Sequence, residues 1–361
     1  MKILEIIYGL SSGGAERLVV DLCNELVKKE DVTLLVLKDI EQYYAPQLDT
    51  HVKVIYAKFP IGKSIKQHLF VYHFIKKLKP NIVHYHSAAR YTTLLSNILL
   101  GQKIKFYMTI HNDVEKSYKN GVSGLQVRLA HYCGHTRFIT ISKENEVQFK
   151  RIYPNYKERL IVNGRAMPEL SKSFSSVKKE INSLCSDSNT TVYLHIARCM
   201  PVKNQRLLIA AFNHHIANGA NAILLIIGNK FDSELGLKLQ QESVKNIYFL
   251  GTRKNVYDYM ACSDAFCLSS TQEGMPMTII EAILSGVPVI STPVCGAIDA
   301  VINKKNGLIT EDYSLEAYYN AFVDFENMKQ NLKANAMIGK ENSIYNITHC
   351  AKEHMEWFHE G

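Results

Sequence analysis

"AFCLSSTQEGMPMTIIEAILSGVPVIST", residues 265–292, reads as a strand, a loop, a helix and a second strand. "AFCLSS" (265–270) and "VPVIST" (287–292) are short apolar runs rich in β-forming residues. Between them, Pro276 has no amide hydrogen and suits the first helical position, while it pushes Met275 away from helical angles. Ile279, Ile280, Ile283 and Leu284 then recur at helical spacing, and Gly286 supplies the stop. Two apolar strands joined by one helix imply parallel neighbours in a sheet covered on both faces.

The same alternation extends over the whole chain. The first half offers "KILEIIYG" (2–9), "VTLLVLK" (32–38), "VKVIYA" (52–57), "NIVHYH" (81–86), "KFYMTIH" (105–111), "FITIS" (138–142) and "RLIVNG" (159–164) as strands. The second half adds "VYLHIAR" (192–198), "AILLIIG" (222–228), "IYFLG" (247–251) and "GLIT" (307–310) to the two already quoted. Helical-length segments separate most of them. The polar stretch "PELSKSFSSVKKEINSLCSDSNTT" (168–191) breaks the rhythm. An α/β protein with two doubly wound parallel sheets and a cleft between them is expected, divided near residues 168 and 169.

Composition narrows the class. At 361 residues the chain is too long for one ordinary core, and 47% hydrophobic with 21% charged residues fits a soluble globular protein. No apolar stretch reaches the ~18 residues that span a bilayer, and Glu5 interrupts the opening run, so a first strand is expected there rather than a signal peptide. The eight cysteines are scattered without a C-x-x-C pair, which points to reduced thiols and a cytoplasmic setting. Residues 1–170 hold 25 Lys and Arg against 15 Asp and Glu, and residues 171–361 hold 17 against 19. Between Asp49 and Asp113 there is no acid, only Lys53, Lys58, Lys63, Lys66, Lys76, Lys77, Lys79, Arg90, Lys103 and Lys105. Such a surface attracts phosphate or anionic lipid. Nucleic acid is not supported, since no zinc-finger, ribonucleoprotein or helix-turn-helix signature is present.

Ligands of open parallel sheets sit beyond the strands' carboxyl ends, so the loops there are the candidates. "GLSSGGAERLVVDL" places Gly13 and Gly14 where a helix begins, so backbone amides can approach a phosphate or sugar; a tight turn accounts for the pair equally well. The dinucleotide fingerprint G-x-G-x-x-G is absent, which argues against an oxidoreductase. "ARCMPVKNQRLLIAAF" sends Arg198 from a strand end and sets Lys203 at the next helix start. Two cations there suit a diphosphate, though two solvated bases share the spacing. Glu273 falls in a loop and Glu281 about five residues into the helix, roughly 7 Å along its axis and beyond the edge of the apolar stripe. One carboxylate at the helix mouth and another farther in outline a nucleotide sugar, with sugar hydroxyls on Glu273 and ribose hydroxyls on Glu281.

"EGMPMTIIEAILSGVPVIS" resembles the E-G-x-P-x-x-x-x-E-A signature of the retaining glycosyltransferases of family 4, also called glycosyl transferases group 1. "GGAERLV", "PNIVHYH", "TIHN", "ISKEN", "VNG", "PVKN", "NIYFLG" and "YMACSDAFCLSS" follow in the family's order over the whole length. The resemblance implies a GT-B fold, two Rossmann-like domains whose parallel sheets face each other across a deep cleft, and neither metal nor cofactor. It implies an acceptor domain over 1–168, a nucleotide-sugar domain over 169–335, and a terminal helix within 336–361 that returns to the first domain. By the family's pattern Arg198 and Lys203 meet the donor diphosphate, Glu281 the ribose, and Glu273 with Gly274, Met275 and Pro276 the sugar. Gly13 and Gly14 approach the phosphate, and His111 matches a histidine lining the sugar site. The sequence departs from the pattern at Ala197, Lys230 and Arg165.

The implied reaction passes a sugar from a nucleotide diphosphate, a UDP-sugar by preference, to a hydroxyl of a glycan or lipid-linked acceptor in bacterial surface polysaccharide or lipopolysaccharide synthesis. No second carboxylate is placed as a covalent nucleophile, so attack from the leaving-group face is expected, the diphosphate taking the acceptor proton. A nucleotide-sugar epimerase and a catalytically silent subunit are the alternatives; the E-x7-E pattern with its Arg–Lys pair opposes both. His111 also reads simply as a histidine at a strand end. His84 and His86 share one strand face, but without a third ligand they read as packing or acceptor contact rather than metal site. "KSIKQHLFVYHFIKKLKP" (63–80) is either a domain helix with lysines in water or a surface resting on anionic lipid at the inner face of the membrane.

Overall fold

The computed structural model describes every residue except Ser12, Asp39, Glu41, Lys63, Ser87, Asn342 and Gly361, and leaves aside the side chains of residues 339–341. The seven strands expected in the first half and the six in the second form two all-parallel sheets. Strands β1 (Lys2–Ile7), β2 (Asp31–Lys38), β3 (Lys53–Phe59), β4 (Ile82–His86), β5 (Lys105–Ile110), β6 (Arg137–Thr140) and β7 (Glu158–Leu160) lie in the order β3-β2-β1-β4-β5-β6-β7. Strands β8 (Thr191–Ile196), β9 (Ala222–Ile227), β10 (Ile247–Gly251), β11 (Ala265–Leu268), β12 (Val289–Ser291) and β13 (Gly307–Ile309) lie in the order β10-β9-β8-β11-β12-β13. The opening strand–helix–strand stretch is the β11–β12 pair, joined by the helix Met277–Ser285. Each order reverses once, between β1 and β4 and between β8 and β11.

Both sheets are buried because their strands are apolar on both faces; every residue of β9 is buried. Leu4, Leu35, Val83, Phe106 and Phe138 belong to the first core, and Tyr193, Phe212, Leu224, Phe322 and Phe325 to the second. Burying one such phenylalanine contributes on the order of 2–3 kcal/mol. Tyr193, Phe212 and Phe322 meet edge to face, which orders them further.

The chain divides into Met1–Ala166 with Ile344–Gly361, and Met167–Ser343. The polar stretch 168–191 contains a helix, Phe174–Leu184, inside the second unit. Only Val177 and Ile181, one turn apart, are buried along it, too narrow a stripe to stand out among its polar neighbours. Residues 336–341 end the helix Leu315–Glu341 of the second unit, so the segment belonging to the first unit starts at Ile344 rather than 336. Its helix Ile347–Glu360 is held by the Tyr107 hydroxyl donating to the Trp357 carbonyl at 3.0 Å and by Arg159 facing Glu356 and Glu360. No helix among the described residues is long and apolar enough to cross a membrane.

Arg165 explains its own departure from the family pattern. Its backbone pairs with the returning segment, donating to Tyr345 O at 2.8 Å and accepting from Ile347 N at 2.9 Å. Its buried guanidinium meets Asp21 of the helix Gly14–Leu26, which also takes Arg17 at 3.1 Å. Removing one partner of a buried pair costs about 3 kcal/mol or more, because the other charge keeps its desolvation penalty. Asp21→Ala is therefore expected to lower the unfolding free energy of the first unit by that amount, read as a lower urea midpoint. The single tryptophan, Trp357, sits on the returning helix, so its fluorescence follows this unit; an unchanged midpoint would refute the clamp.

Candidate functional site

The reversal between β8 and β11 places two loops, some seventy residues apart in sequence, side by side at the carboxyl edge of the second sheet. After β8 the chain turns through Pro201–Lys203, and Asn204 adopts left-handed angles (φ 49°) before the helix Gln205–Ala217. The Gln205 side-chain amide donates to the Arg198 carbonyl at 2.9 Å, fixing the backbone from which Arg198 projects. The β11 loop is stitched to this turn by Thr271 N donating to Val202 O and Ser269 Oγ donating to Lys203 O, both at 2.9 Å.

Lys203 and Glu273 meet in this arrangement, Nζ to Oε1 at 2.5 Å, and Ser270 Oγ donates to the same carboxylate oxygen at 2.7 Å. Both charged side chains are only partly exposed, so their bond is charge-assisted in a reduced dielectric. Beneath Lys203, His195 donates from Nδ1 to the Cys267 carbonyl at 2.9 Å. Burial, with the charge of Lys203 adding to it, brings His195 down to about 4, so it adds no positive charge at neutral pH.

The Gly274–Pro276 backbone rests on a turn that the sequence did not single out. Gly296 has φ +72°, and a Cβ there would lie 2.5 Å from Gly274 O and 2.7 Å from Met275 Cα. Pro276 proves to be the cap rather than the first helical residue, with ψ 113°, and its carbonyl accepts from Ile279 N at 3.0 Å. Gly286 ends the helix in left-handed geometry as expected. Glu281 is 8% exposed and thus buried along with its apolar neighbours. Helices Val256–Ala261, Ala297–Ala300 and Leu315–Glu341 pack around this one, so the position beyond the apolar stripe is enclosed too. The Tyr257 hydroxyl donates to Glu281 Oε1 at 3.4 Å. Lys230 also takes left-handed angles (φ 65°), conformationally the place for a glycine.

In the first unit, Gly13 caps the helix that starts at Gly14. A Cβ on Gly13 would collide with the carboxylate of Glu16, which folds back toward the helix start. His111 follows β5 and is buried, with Nε2 at 2.9 Å from His86 Nδ1. Glu5, read from the sequence as a mere interruption, supplies the carboxylate partner that His84 and His86 lacked. Parallel pairing sets Glu5 of β1 opposite His84 of β4. Its oxygens lie 3.0 Å from His84 Nδ1 and 2.9 Å from His86 Nε2, all fully buried. These three donors lie close enough to hold a metal ion. Burial alone would raise the Glu5 pKa, but the charge interaction with His84 and the bonds from both rings outweigh it and hold the carboxyl well below the usual range.

Comparison with known proteins agrees with the two-unit α/β fold. Residues 176–342 match glycosyl transferases group 1, and residues 12–164 match Glycosyltransferase Family 4. An uncharacterized glycosyltransferase of Methanocaldococcus jannaschii is 29% identical, over 70% of this chain and 69% of its own. The UDP-Gal:alpha-D-GlcNAc-diphosphoundecaprenol alpha-1,3-galactosyltransferase of Escherichia coli is 26% identical, over 79% of this chain and 74% of its own. The crystal structure of Anabaena HepE in complex with UDP and glucose matches the fold with a TM-score of 0.81, at 18% identity and full coverage of both chains. The two Rossmann-like α/β units are those of the GT-B fold.

Proposed function

Because this chain belongs to the glycosyltransferases of family 4, or group 1, we propose that it moves a sugar from a UDP-sugar to a hydroxyl of a lipid-linked or glycan acceptor, with retention of configuration. The observation that carries the reading is the meeting of Lys203 and Glu273 at the switch point, on the turn where Gln205 holds the Arg198 carbonyl. In this proposal the donor diphosphate takes Lys203 and Arg198, and Glu273 exchanges its lysine for sugar hydroxyls, with the Gly274–Pro276 backbone beside it. Glu281 accepts from the ribose. Gly13 and Gly14 serve the phosphates and His111 the sugar, as the family's pattern implies. Neither a metal nor a cofactor has a part in it.

As the bond from C1 to the diphosphate oxygen breaks, charge grows on the leaving group, where two fixed cations stabilise it most. The acceptor oxygen bonds to C1 on the same face and gives its proton to the departing diphosphate. The UDP in the HepE crystal and the UDP-Gal donor of the Escherichia coli relative support the choice of base. The diphosphoundecaprenol-linked acceptor of that relative supports a lipid-borne acceptor in bacterial surface glycan synthesis.

A lipid-borne acceptor is presented at a membrane, and the first unit has a surface suited to one. On the helix Ile65–Leu78, Ile65, Leu69 and Phe70 are exposed beside Lys66, Lys76 and Lys77, and Ile61 is exposed just before it. Of the aromatics noted in the sequence, Tyr72 and Phe74 are half-buried, and Phe70 stacks on Phe74. Lys63 lies outside the described residues. The apolar residues would enter the interface while the lysines meet anionic headgroups.

Three outcomes test these assignments. A saturating UDP-sugar, at about 100 times its Kd, should stabilise the protein by about 2.7 kcal/mol, a thermal shift of roughly 5 to 10 °C. Glu281→Ala and the milder Glu281→Gln should reduce that shift; full retention in both contradicts the ribose assignment. Proton NMR of the product from an α-linked donor should show an α-anomer, and a β-anomer rejects retention. Sedimentation with phosphatidylglycerol vesicles should fall with added salt and with Lys76→Glu/Lys77→Glu, whereas binding indifferent to salt and lipid charge removes the electrostatic docking.

A further inference from the structure

The buried carboxylate of the first unit sits at the start of an unbroken line of polar contacts. Glu5 Oε2 is 2.9 Å from His86 Nε2, and His86 Nδ1 is 2.9 Å from His111 Nε2. His84 flanks the line, with Nδ1 on Glu5 and Nε2 at 2.7 Å from Thr109 Oγ1. The titratable groups packed around it are His354, whose ring centre is 5.3 Å from that of His84, and Cys23, whose thiol is pushed up by burial and by the charge of Glu5. We propose that Glu5 and His86 are positioning residues that hold His111 in the tautomer protonated at Nε2, so that the ring turns a bare Nδ1, a hydrogen-bond acceptor, toward the sugar. The inference rests on the reading of His111 as a sugar-site residue.

The direction of every proton follows from the carboxylate. An ionised carboxylate only accepts, so His84 Nδ1 and His86 Nε2 both carry hydrogens. Burial, reinforced by repulsion from His84, brings His86 down to about 4 against the pull of Glu5, so its ring is neutral and its Nδ1 holds a lone pair. A lone pair 2.9 Å from His111 Nε2 needs a donor there. His111 is itself kept neutral, chiefly by burial and then by the neighbouring histidines, which push it well below its ordinary range. A neutral ring with its hydrogen on Nε2 has none on Nδ1. The sugar must then present an O–H or N–H to His111; a carboxylate at that position would meet the lone pair and be repelled.

A metal ion held by Glu5, His84 and His86 is the rival use of the cluster. All four ring nitrogens of His84 and His86 already have partners at hydrogen-bonding distance: Glu5, Thr109, Glu5 again and His111. An ion would have to displace both imidazole hydrogens from the Glu5 carboxylate, whereas the relay keeps those two bonds.

The test is long-range proton–nitrogen NMR of the histidine rings in full-length protein labelled with 15N-histidine, free of substrate at pH 7, with His111 assigned by loss of its signals in His111→Asn. A pyrrole-type Nε2 and a pyridine-type Nδ1 are expected for His111. A pyrrole-type Nδ1, or averaged shifts, overturns the proposal, as does one equivalent of tightly held metal by elemental analysis. Glu5→Gln offers His86 an amide that either accepts or donates, so the His111 signals should average and kcat should fall roughly tenfold or more while the donor KM holds. An unmoved His111 tautomer in folded Glu5→Gln also overturns it. The spectrum is read without donor or acceptor, so it stands apart from the sugar reading. A locked tautomer with undiminished transfer by His111→Ala would refute the role of His111 and leave the relay intact.

Discussion

Strand order is the constraint on which the candidate donor site depends. A parallel strand delivers its following loop to the carboxyl edge of the sheet, and neighbouring strands deliver theirs together only if the connections diverge. At the reversal between β8 and β11 no helix lies between the two loops, so Lys203 and Glu273 bond directly. Had β11 been laid down beyond β10 instead, the same residues would stand several strand spacings of about 4.8 Å apart. Neither the charges nor the spacing in sequence makes this site; the topology does.

The first unit places its reversal between β1 and β4 and treats charge differently there. Glu5 is fully buried, yet remains ionised because two imidazoles donate to it from the adjacent strand. Lys203 and Glu273 stay partly exposed. A partly exposed ion pair gives up a partner to an incoming ligand at lower cost, whereas breaking a dry one leaves a charge without compensation. The two reversals thus suit different work. One can exchange partners during a reaction, and the other can hold a geometry fixed.

The strands were legible because each is a short apolar run bounded by polar or glycine-rich turns, and a buried parallel sheet demands that pattern. Glycine at 286 was legible for a local reason, since only a left-handed stop suits it. What escaped depends on distance along the chain. Glu5 looks like a flaw in an apolar strand until pairing brings His84 and His86 beside it, some eighty residues later. Ser270 and Tyr257 acquire meaning only through Glu273 and Glu281, and Gly296 only through the backbone it lies against. Glu281 was placed on the correct turn but not in its surroundings, because helical periodicity knows one helix and not the three packed around it. The segment boundary near 336 failed for a related reason: the helix Leu315–Glu341 runs on through it without any local break.

The returning segment shows how these scales join. Residues 344–361 form part of the first unit, with Asn346 pairing beside Arg165, and they carry His354 to within ring contact of His84. His354 is fully buried and pushed down to about 3, chiefly by burial and then by His84, so it is neutral at ordinary pH. A neutral ring closes the cluster without competing for the Glu5 carboxylate, which a cation in the same place would do. The buried Asp21–Arg165 pair fixes the chain where this segment joins the first unit. It therefore bears on the dryness of the cluster around Glu5, and through that dryness on the direction of each hydrogen between Glu5 and His111.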